Sequence, residues 1–392
     1  MPNKKVVVGM SGGVDSSVAA LLLKKQGFTV EGVSLLMFET RGGRGQDSKT
    51  CCSLESVADA ARTAEMIGIP HRVVDCRDIF IEKVIEPFAL AYSNGLTPNP
   101  CILCNRHVKF PALLEAADER GAGFIATGHY ARILRNEDGP ELMMAADEKK
   151  DQSYVLYAQG REEFRRLVLP LGDLNKPDVR KLAAEAGLPV FNRPESQEIC
   201  FARGKDYMGM VKALVPGAAE EGPIIDDAGR RIGTHHGISG YTIGQRKGLG
   251  GNRGKPEERG IGGHHGPEGH HGPEDHHGPK PLYVYRIDAS GNTIYAGGRE
   301  KVFTKEIEAG ELNWLLHGYS LMDKFTAGVK VRSMMRPAPA TVYRAVRAVS
   351  ESVRIEFEEP QWAPAPGQSA VFYAGQTVIG GGVIRNKPET GN

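Results

Sequence analysis

The sequence predicts an α/β doubly wound parallel sheet over roughly its first 200 residues, followed by a small central domain and a C-terminal antiparallel β-barrel. Three observations carry this. Apolar strand-like runs alternate with amphipathic helical stretches as far as Cys200; Gly and Pro then become frequent and short alternating strands take over; and between the two regimes lies a segment too polar to pack. Alternating β and α elements imply a parallel sheet, because a parallel connection has to cross over and a helix is the usual crossover. A chain of 392 residues accommodates two or three domains, each with its own core. The expected limits are 1–205, 206–285 and 286–388.

Lys5–Gly9, with Val6, Val7 and Val8 in succession, has the unbroken apolar character of a strand buried on both faces. A glycine-rich turn follows, and Val18, Leu21, Leu22 and Leu23 then fall at helical spacing within 16–26. Thr29–Leu36 is the second strand, Ser53–Ile67 a helix opening on a Ser cap with Glu55 nearby, and His71–Asp75 the third strand. Ile79–Ala91 and Lys109–Arg120 are helical, Phe124–Thr127 is a short strand, and Lys176–Ala186 is the last clear helix, with no hairpin signal in this region. Beyond about Lys205 the strands are Leu282–Ile287, Phe325–Arg332, Val342–Val349 and Val353–Phe357, and Gln368–Ile384 forms two more around Ala374-Gly375. Segment 251–281 carries a hexapeptide repeated three times, with His-His-Gly-Pro starting at His264, His270 and His276. It offers no apolar side chain after Ile261, so it is expected to be a mobile loop, either a chelator of soft divalent metals or an expansion in a tolerant position.

Composition narrows the function classes. Lys+Arg 49 against Asp+Glu 48 gives a net charge of +1, so any site for a polyanion has to be local. The chain is 40% hydrophobic and 25% charged, and no run approaches the ~18 apolar residues of a membrane span. Met1–Lys5 leads straight into Val6 without an apolar leader, which predicts a cytoplasmic protein with no membrane partner. Six cysteines are too few for a disulfide scaffold, whereas Cys101-x-x-Cys104 has a spacing used by metal and redox sites. Cys51, Cys52 and Cys76 receive no role.

The strongest chemical signal is Gly9-Met10-Ser11-Gly12-Gly13-Val14-Asp15-Ser16-Ser17, between the first strand and the first helix. Glycines let backbone approach a phosphate, and a helix N-terminus adds oriented N–H groups and a positive dipole end. Ser11, Ser16 and Ser17 supply hydroxyls, and Asp15 is suited to holding Mg²⁺ or orienting pyrophosphate. The loop lacks the Lys-Ser/Thr pair of a Walker motif and the G-x-G-x-x-G spacing of a dinucleotide fold. It resembles instead the pyrophosphate loop of N-type ATP pyrophosphatases (PP-loop, adenine nucleotide α-hydrolase-like), a resemblance that implies ATP, Mg²⁺ and adenylation of a carbonyl-type oxygen.

Further motifs occur in order: Thr97-Pro98-Asn99-Pro100-Cys101-Ile102-Leu103-Cys104-Asn105, Gly128-His129-Tyr130-Ala131, Lys150-Asp151-Gln152-Ser153-Tyr154, Glu195-Ser196-Gln197-Glu198-Ile199-Cys200-Phe201, Tyr241-Thr242-Ile243-Gly244-Gln245-Arg246-Lys247-Gly248 and Pro366-Gly367-Gln368-Ser369-Ala370. Together they resemble the tRNA-specific 2-thiouridylases (the MnmA/TrmU family) from residue 5 to about 385, interrupted by the histidine repeat. The resemblance implies replacement of the C2 oxygen of wobble uridine 34 by sulfur in tRNAs for Lys, Glu and Gln. Adenylation turns that oxygen into a leaving group, and a persulfide then attacks C2. A cysteine desulfurase or a sulfur-carrier protein is the implied donor.

Carried over residue by residue, the resemblance makes Cys200 the persulfide-bearing cysteine and Cys104 the partner nucleophile, with a Cys104–Cys200 disulfide at the end of a turnover. ATP falls on Gly9, Met10, Ser11, Gly12, Gly13, Val14, Asp15 and Ser16, with Leu35 and Gly128 contacting the adenine. Contacts to tRNA fall on Asn99, Pro100 and Cys101 around the flipped target base, on His129, on Lys150, Asp151 and Gln152, and on Arg332, Ser333 and Gln368. Many family members have Asp where this chain has Cys101, so the acid/base role is left without an owner. The trio Cys101, Cys104 and Cys200 equally suits a [4Fe–4S] cluster with one iron open to hydrosulfide. The phosphate loop by itself also fits an enzyme that adenylates a small molecule, and the repeat fits a metal- or tRNA-binding protein.

Overall fold

The computed structural model describes residues 4–38, 54–192, 199–201, 207–249, 281–347 and 350–386. Cys51, Cys52, the Ser53 cap, the histidine repeat and Glu195–Glu198 of the Cys200 motif lie outside them. The first domain runs β1 (Lys5–Gly9), α1 (Val14–Lys25), β2 (Thr29–Leu36), α2 (Leu54–Ile67), β3 (His71–Asp75), α3 (Arg77–Phe80), α4 (Glu86–Ser93), α5 (Pro100–Cys104), α6 (Phe110–Glu119), β4 (Phe124–Ala126), β5 (Arg132–Asn136), β6 (Gly139–Met143), α7 (Ser153–Leu156), α8 (Arg161–Arg166), β7 (Leu167–Val168) and α9 (Lys176–Glu185). Five of its strands form a parallel sheet in the order β3-β2-β1-β4-β7. Alternation along β1 divides the core: Val6 and Val8 join one cluster with Val18, Ala60 and Val179, while Val7 joins another with Phe80, Val84 and Leu113. That two-sided burial is what the Val-Val-Val run encodes. Strand order reverses between β1 and β4, and in such sheets ligands bind beyond the carboxyl ends of the strands at that crevice.

Two features depart from expectation. β5 and β6 form an antiparallel hairpin where none was expected, turning through Glu137-Asp138 with Gly139 at φ +112°. Their strands are short and polar, so the apolar alternation that marks a strand is weak, and Asn136-Glu137-Asp138-Gly139 is the signal overlooked. The helical stretches also change register, through π turns at Ile81–Ile85 and Asn105–Lys109. Each precedes a proline, Pro87 or Pro111, and contains the residue four positions before it. A proline has no N–H for that carbonyl and its ring clashes with it, so widening the preceding turn lets the helix continue.

A smaller unit contains α10 (Tyr207–Leu214), β8 (Glu221–Ile225), β9 (Arg231–His236), β10 (Tyr283–Asp288) and β11 (Thr293–Gly297). Its strands form one sheet in the order β10-β11-β8-β9, which lies on both sides of position 285. The last unit comprises β12 (Phe303–Trp314), α11 (His317–Ser320), β13 (Lys324–Lys330), β14 (Ala338–Arg347), β15 (Ser350–Trp362), β16 (Ser369–Ala374) and β17 (Thr377–Ile384). The order β12-β15-β14-β13-β16-β17 closes through β12–β17 pairing, giving an antiparallel barrel filled by Val329, Val342, Ile355 and Phe372. The hairpin β5–β6 of the first domain is added to this sheet at Thr377↔Met143. Among the described residues, no helix is long and apolar enough to cross a membrane.

Candidate phosphate and thiol site

The turn after β1 is built by its own hydroxyls. The Ser11 N–H donates to Ser16 Oγ at 3.1 Å, and the Ser16 and Ser17 hydroxyls reach the Gly13 carbonyl at 3.2 and 2.9 Å. Gly12 has φ +72°, and a Cβ there would lie 2.3 Å from the Ser56 carbonyl oxygen, so both backbone and space demand glycine. Gly128, just beyond β4, packs as closely: a Cβ would lie 2.6 Å from the Ser16 nitrogen. Gly9 and Gly128 thus flank the β1/β4 crevice, with the N-terminus of α1 between them. Met10 and Val14 are buried, and Ser34 Oγ donates to the Met10 carbonyl at 2.7 Å. Leu35 lies in the core, on the strand that supports this turn.

Asp15, in the first turn of α1, is fixed by partners far along the chain. Its carboxylate accepts from the Tyr130 hydroxyl at 2.7 Å, and Lys176 Nζ lies 2.6 and 2.7 Å from its two oxygens. Lys176 opens α9, is 6% exposed, and also stands 5.6 Å from the Tyr130 ring centroid. Both carboxylate oxygens of Asp15 are thus engaged by Lys176. Sequence reasoning missed Tyr130 and Lys176 as parts of the site. Tyr130 sits in the Gly128-His129 motif, whereas Lys176 carried no signal beyond a place at a helix start.

The two thiols of α5 have different surroundings. Asn99 caps the helix, accepting from the Cys101 N–H at 3.1 Å, and Pro100 occupies the first turn, where a missing N–H costs nothing. Cys101 is exposed, while Cys104 is 8% exposed with Sγ 3.7 Å from Met37 Sδ. Cys200 is half-buried and packs on the same hydrophobic cluster as Cys104. Phe201 anchors it, with its ring edge-on to Phe80 at 5.6 Å and Phe88 at 5.2 Å. Cys76 belongs to that cluster too, and burial, then Asp75 and Cys104, push its thiol up to about 11. No disulfide joins the described cysteines. Nor is any group of three His, Cys, Asp or Glu side chains among the described residues placed to hold a metal, so Cys101, Cys104 and Cys200 are not gathered as ligands for the [4Fe–4S] alternative.

His129 is half-buried beside the crevice, with Nδ1 2.7 Å from Thr127 Oγ1. Burial first, and the Lys109 ammonium second, hold its imidazole neutral well below the usual range. Of the next expected trio, Lys150 is half-buried, Gln152 brackets the Tyr130 backbone, and Asp151 is 3% exposed. The Asp151 carboxylate accepts from the Ala145 and Ser153 N–H groups, the Ser153 hydroxyl and, at 2.6 Å, Lys330 of β13. It is therefore a buried link to the barrel. Arg332 turns towards the Ile243 and Ala363 carbonyls at 3.3 and 3.0 Å, and burial lowers its pKa. Ser333 beside it is half-buried. Gln368 Nε2 donates to the Thr97 carbonyl at 3.0 Å, tying the barrel to the loop that precedes Asn99.

A doubly wound sheet with a serine- and glycine-built phosphate loop at its switch point, two thiols on one cluster and two further β-rich units together define a phosphate-loop α/β protein with appended β domains. Residues 4–204 match the family described as the tRNA methyl transferase HUP domain, 211–259 the tRNA methyl transferase PRC-barrel domain, and 304–384 the aminomethyltransferase beta-barrel domain. The chain is 41% identical over 383 residues to the tRNA-specific 2-thiouridylase MnmA of Clostridium acetobutylicum, covering 98% of this chain and 100% of that protein. It is 41% identical to the Clostridioides difficile MnmA (97% and 98% covered) and 40% identical to MnmA 1 of Caldanaerobacter subterraneus (98% and 99% covered). The chain belongs to the tRNA-specific 2-thiouridylase family.

Proposed function

We propose that this chain is a tRNA 2-thiouridine synthase that adenylates the C2 oxygen of wobble uridine 34 and replaces it with sulfur. The observation that carries the reading is the pairing, in one domain, of a preformed phosphate loop at Gly9–Ser16 with Cys104 and Cys200 on a common cluster. The loop and the α1 N-terminus hold the polyphosphate of ATP, with Leu35 and Gly128 beside the adenine, and Mg²⁺ neutralises phosphate charge when bound. The uridine C2 oxygen attacks the α-phosphorus and pyrophosphate leaves. The terminal sulfur of a Cys200 persulfide then attacks C2, and AMP departs with the original oxygen. The Cys104 thiolate attacks the inner sulfur of Cys200, which leaves the second sulfur on the base and closes a Cys104–Cys200 disulfide. An external thiol returns both cysteines to the reduced form.

Cytoplasmic tRNAs for Lys, Glu and Gln are the substrates, and a cysteine desulfurase or sulfur-carrier protein loads Cys200. Asn99, Pro100 and Cys101 line the target base, while His129, Lys150, Gln152, Arg332, Ser333 and Gln368 serve the tRNA side of the site, with Asp151 supporting them from inside. The first unit follows the limit 1–205, whereas the central sheet takes in β10 and β11 and so runs past 285 to Gly297, ahead of the barrel strands that open at Phe303. Methyl transfer, the chemistry in two of the family descriptions, gives the phosphate loop no pyrophosphate to release. The test is thiolation of a tRNA transcript by iron-free protein with ATP, Mg²⁺ and a persulfide donor. Equal yields of thiouridine and AMP are expected; no thiolation, or methylation from a methyl donor in its place, overturns the reading.

A further inference from the structure

Residues given separate duties by the sequence meet at one carboxylate. Asp15 lies in the first turn of α1, where the phosphates of ATP approach, and a free carboxylate there repels them. Lys176 offsets that charge from 2.6 Å, and the Tyr130 hydroxyl fixes the direction of the carboxylate from 2.7 Å. Tyr130 is in turn gripped along its backbone: Gln152 Oε1 accepts from its N–H at 2.9 Å, and the Gln152 N–H donates to its carbonyl at 2.8 Å. The preceding residue, Asp151, is anchored to Lys330 of the barrel, with both side chains almost wholly buried. The contacts run without a gap from a barrel strand, through 151–152 and Tyr130, to the phosphate loop.

We propose that Tyr130 is a positioning residue for adenylation, and that the 151–152 segment acts on ATP through it; this rests on the thiouridine reading above. A hydrogen bond to a charged carboxylate, once lost, is expected to cost about tenfold in ATP use. The test compares wild type, Tyr130→Phe, Asp15→Asn and the double variant. It reads kcat and KM for ATP in AMP release, ATP Kd by calorimetry, and tRNA Kd without ATP. Tyr130→Phe is expected to raise KM and Kd for ATP about tenfold, to leave tRNA affinity within about twofold, and to add almost nothing in the Asp15→Asn background. Gln152→Ala, which removes the acceptor for the Tyr130 N–H, is expected to move ATP KM the same way and stands in should Tyr130→Phe fail to fold.

A fall in kcat that merely follows the folded fraction, with ATP KM unchanged, would overturn the proposal. So would equal effects of Tyr130→Phe in both backgrounds, or weaker tRNA binding with ATP Kd unchanged. Wild type that binds ATP but performs no thiolation overturns the functional reading instead, while the ATP Kd ratio still decides the role of Tyr130.

Discussion

The phosphate loop and the thiol helix belong to one domain but are assembled over different distances in sequence. The loop is shaped largely within Gly9–Ser17, where three serine side chains bond groups only a few residues away. The thiol region has one local device, the Asn99 cap, and otherwise depends on Met37, Phe80, Phe88 and Phe201 from distant segments. A locally built turn presents the same backbone N–H groups before and after ligand arrives, which suits recognition of a constant phosphate. The surroundings of the thiols come from separate elements, so their placement depends on the completed tertiary packing.

The sharpest way to separate the two regions is to remove sulfur alone. Cys200→Ser and Cys104→Ser are each expected to lower thiolation by at least ~10³-fold while AMP formation continues, measured by mass spectrometry of the tRNA and by nucleotide analysis. Loss of AMP formation as well would mean that the regions do not act in separate steps. Next in size is the barrel anchor: Lys330→Met strands the Asp151 charge and is expected to cost ~3–5 kcal/mol in denaturant unfolding, with Asp151→Asn added to it recovering part.

Gly128→Ala sets a methyl 2.6 Å from the Ser16 nitrogen and is expected to cost ~1–3 kcal/mol. It should raise ATP KM and spare tRNA affinity. Asn99→Ala removes a cap worth ~1 kcal/mol and should disturb thiolation more than ATP binding.

A further effect, confined to alkaline pH, is a pH dependence. The Cys76 thiol rises from its ordinary 9.0 to about 11 on folding, so between those values the folded state keeps a proton that the unfolded state has lost. Its contribution to stability is whole below pH 9 and disappears as pH climbs to about 11. Cys76→Ala should flatten the stability curve across that interval; an unchanged slope would show that Cys76 is not shielded as its packing with Cys104 implies.

The sequence by itself determined the doubly wound sheet, because a fully apolar β1 flanked by helices has few other folds open to it. It also marked the glycine- and serine-built turn after β1, which lies within nine consecutive residues. It did not disclose the β5–β6 hairpin, whose polar strands are held by pairing with the barrel sheet rather than by their own alternation. Nor did it disclose that Asp151 points inward, since a carboxylate between Lys150 and Gln152 looks solvated until Lys330 arrives from β13. Lys176 and Tyr130 joined the site only when α9 and the turn after β4 closed on Asp15. Periodicity and short motifs register forces between near neighbours, whereas a buried ion pair is decided by which distant segments the completed core brings within reach.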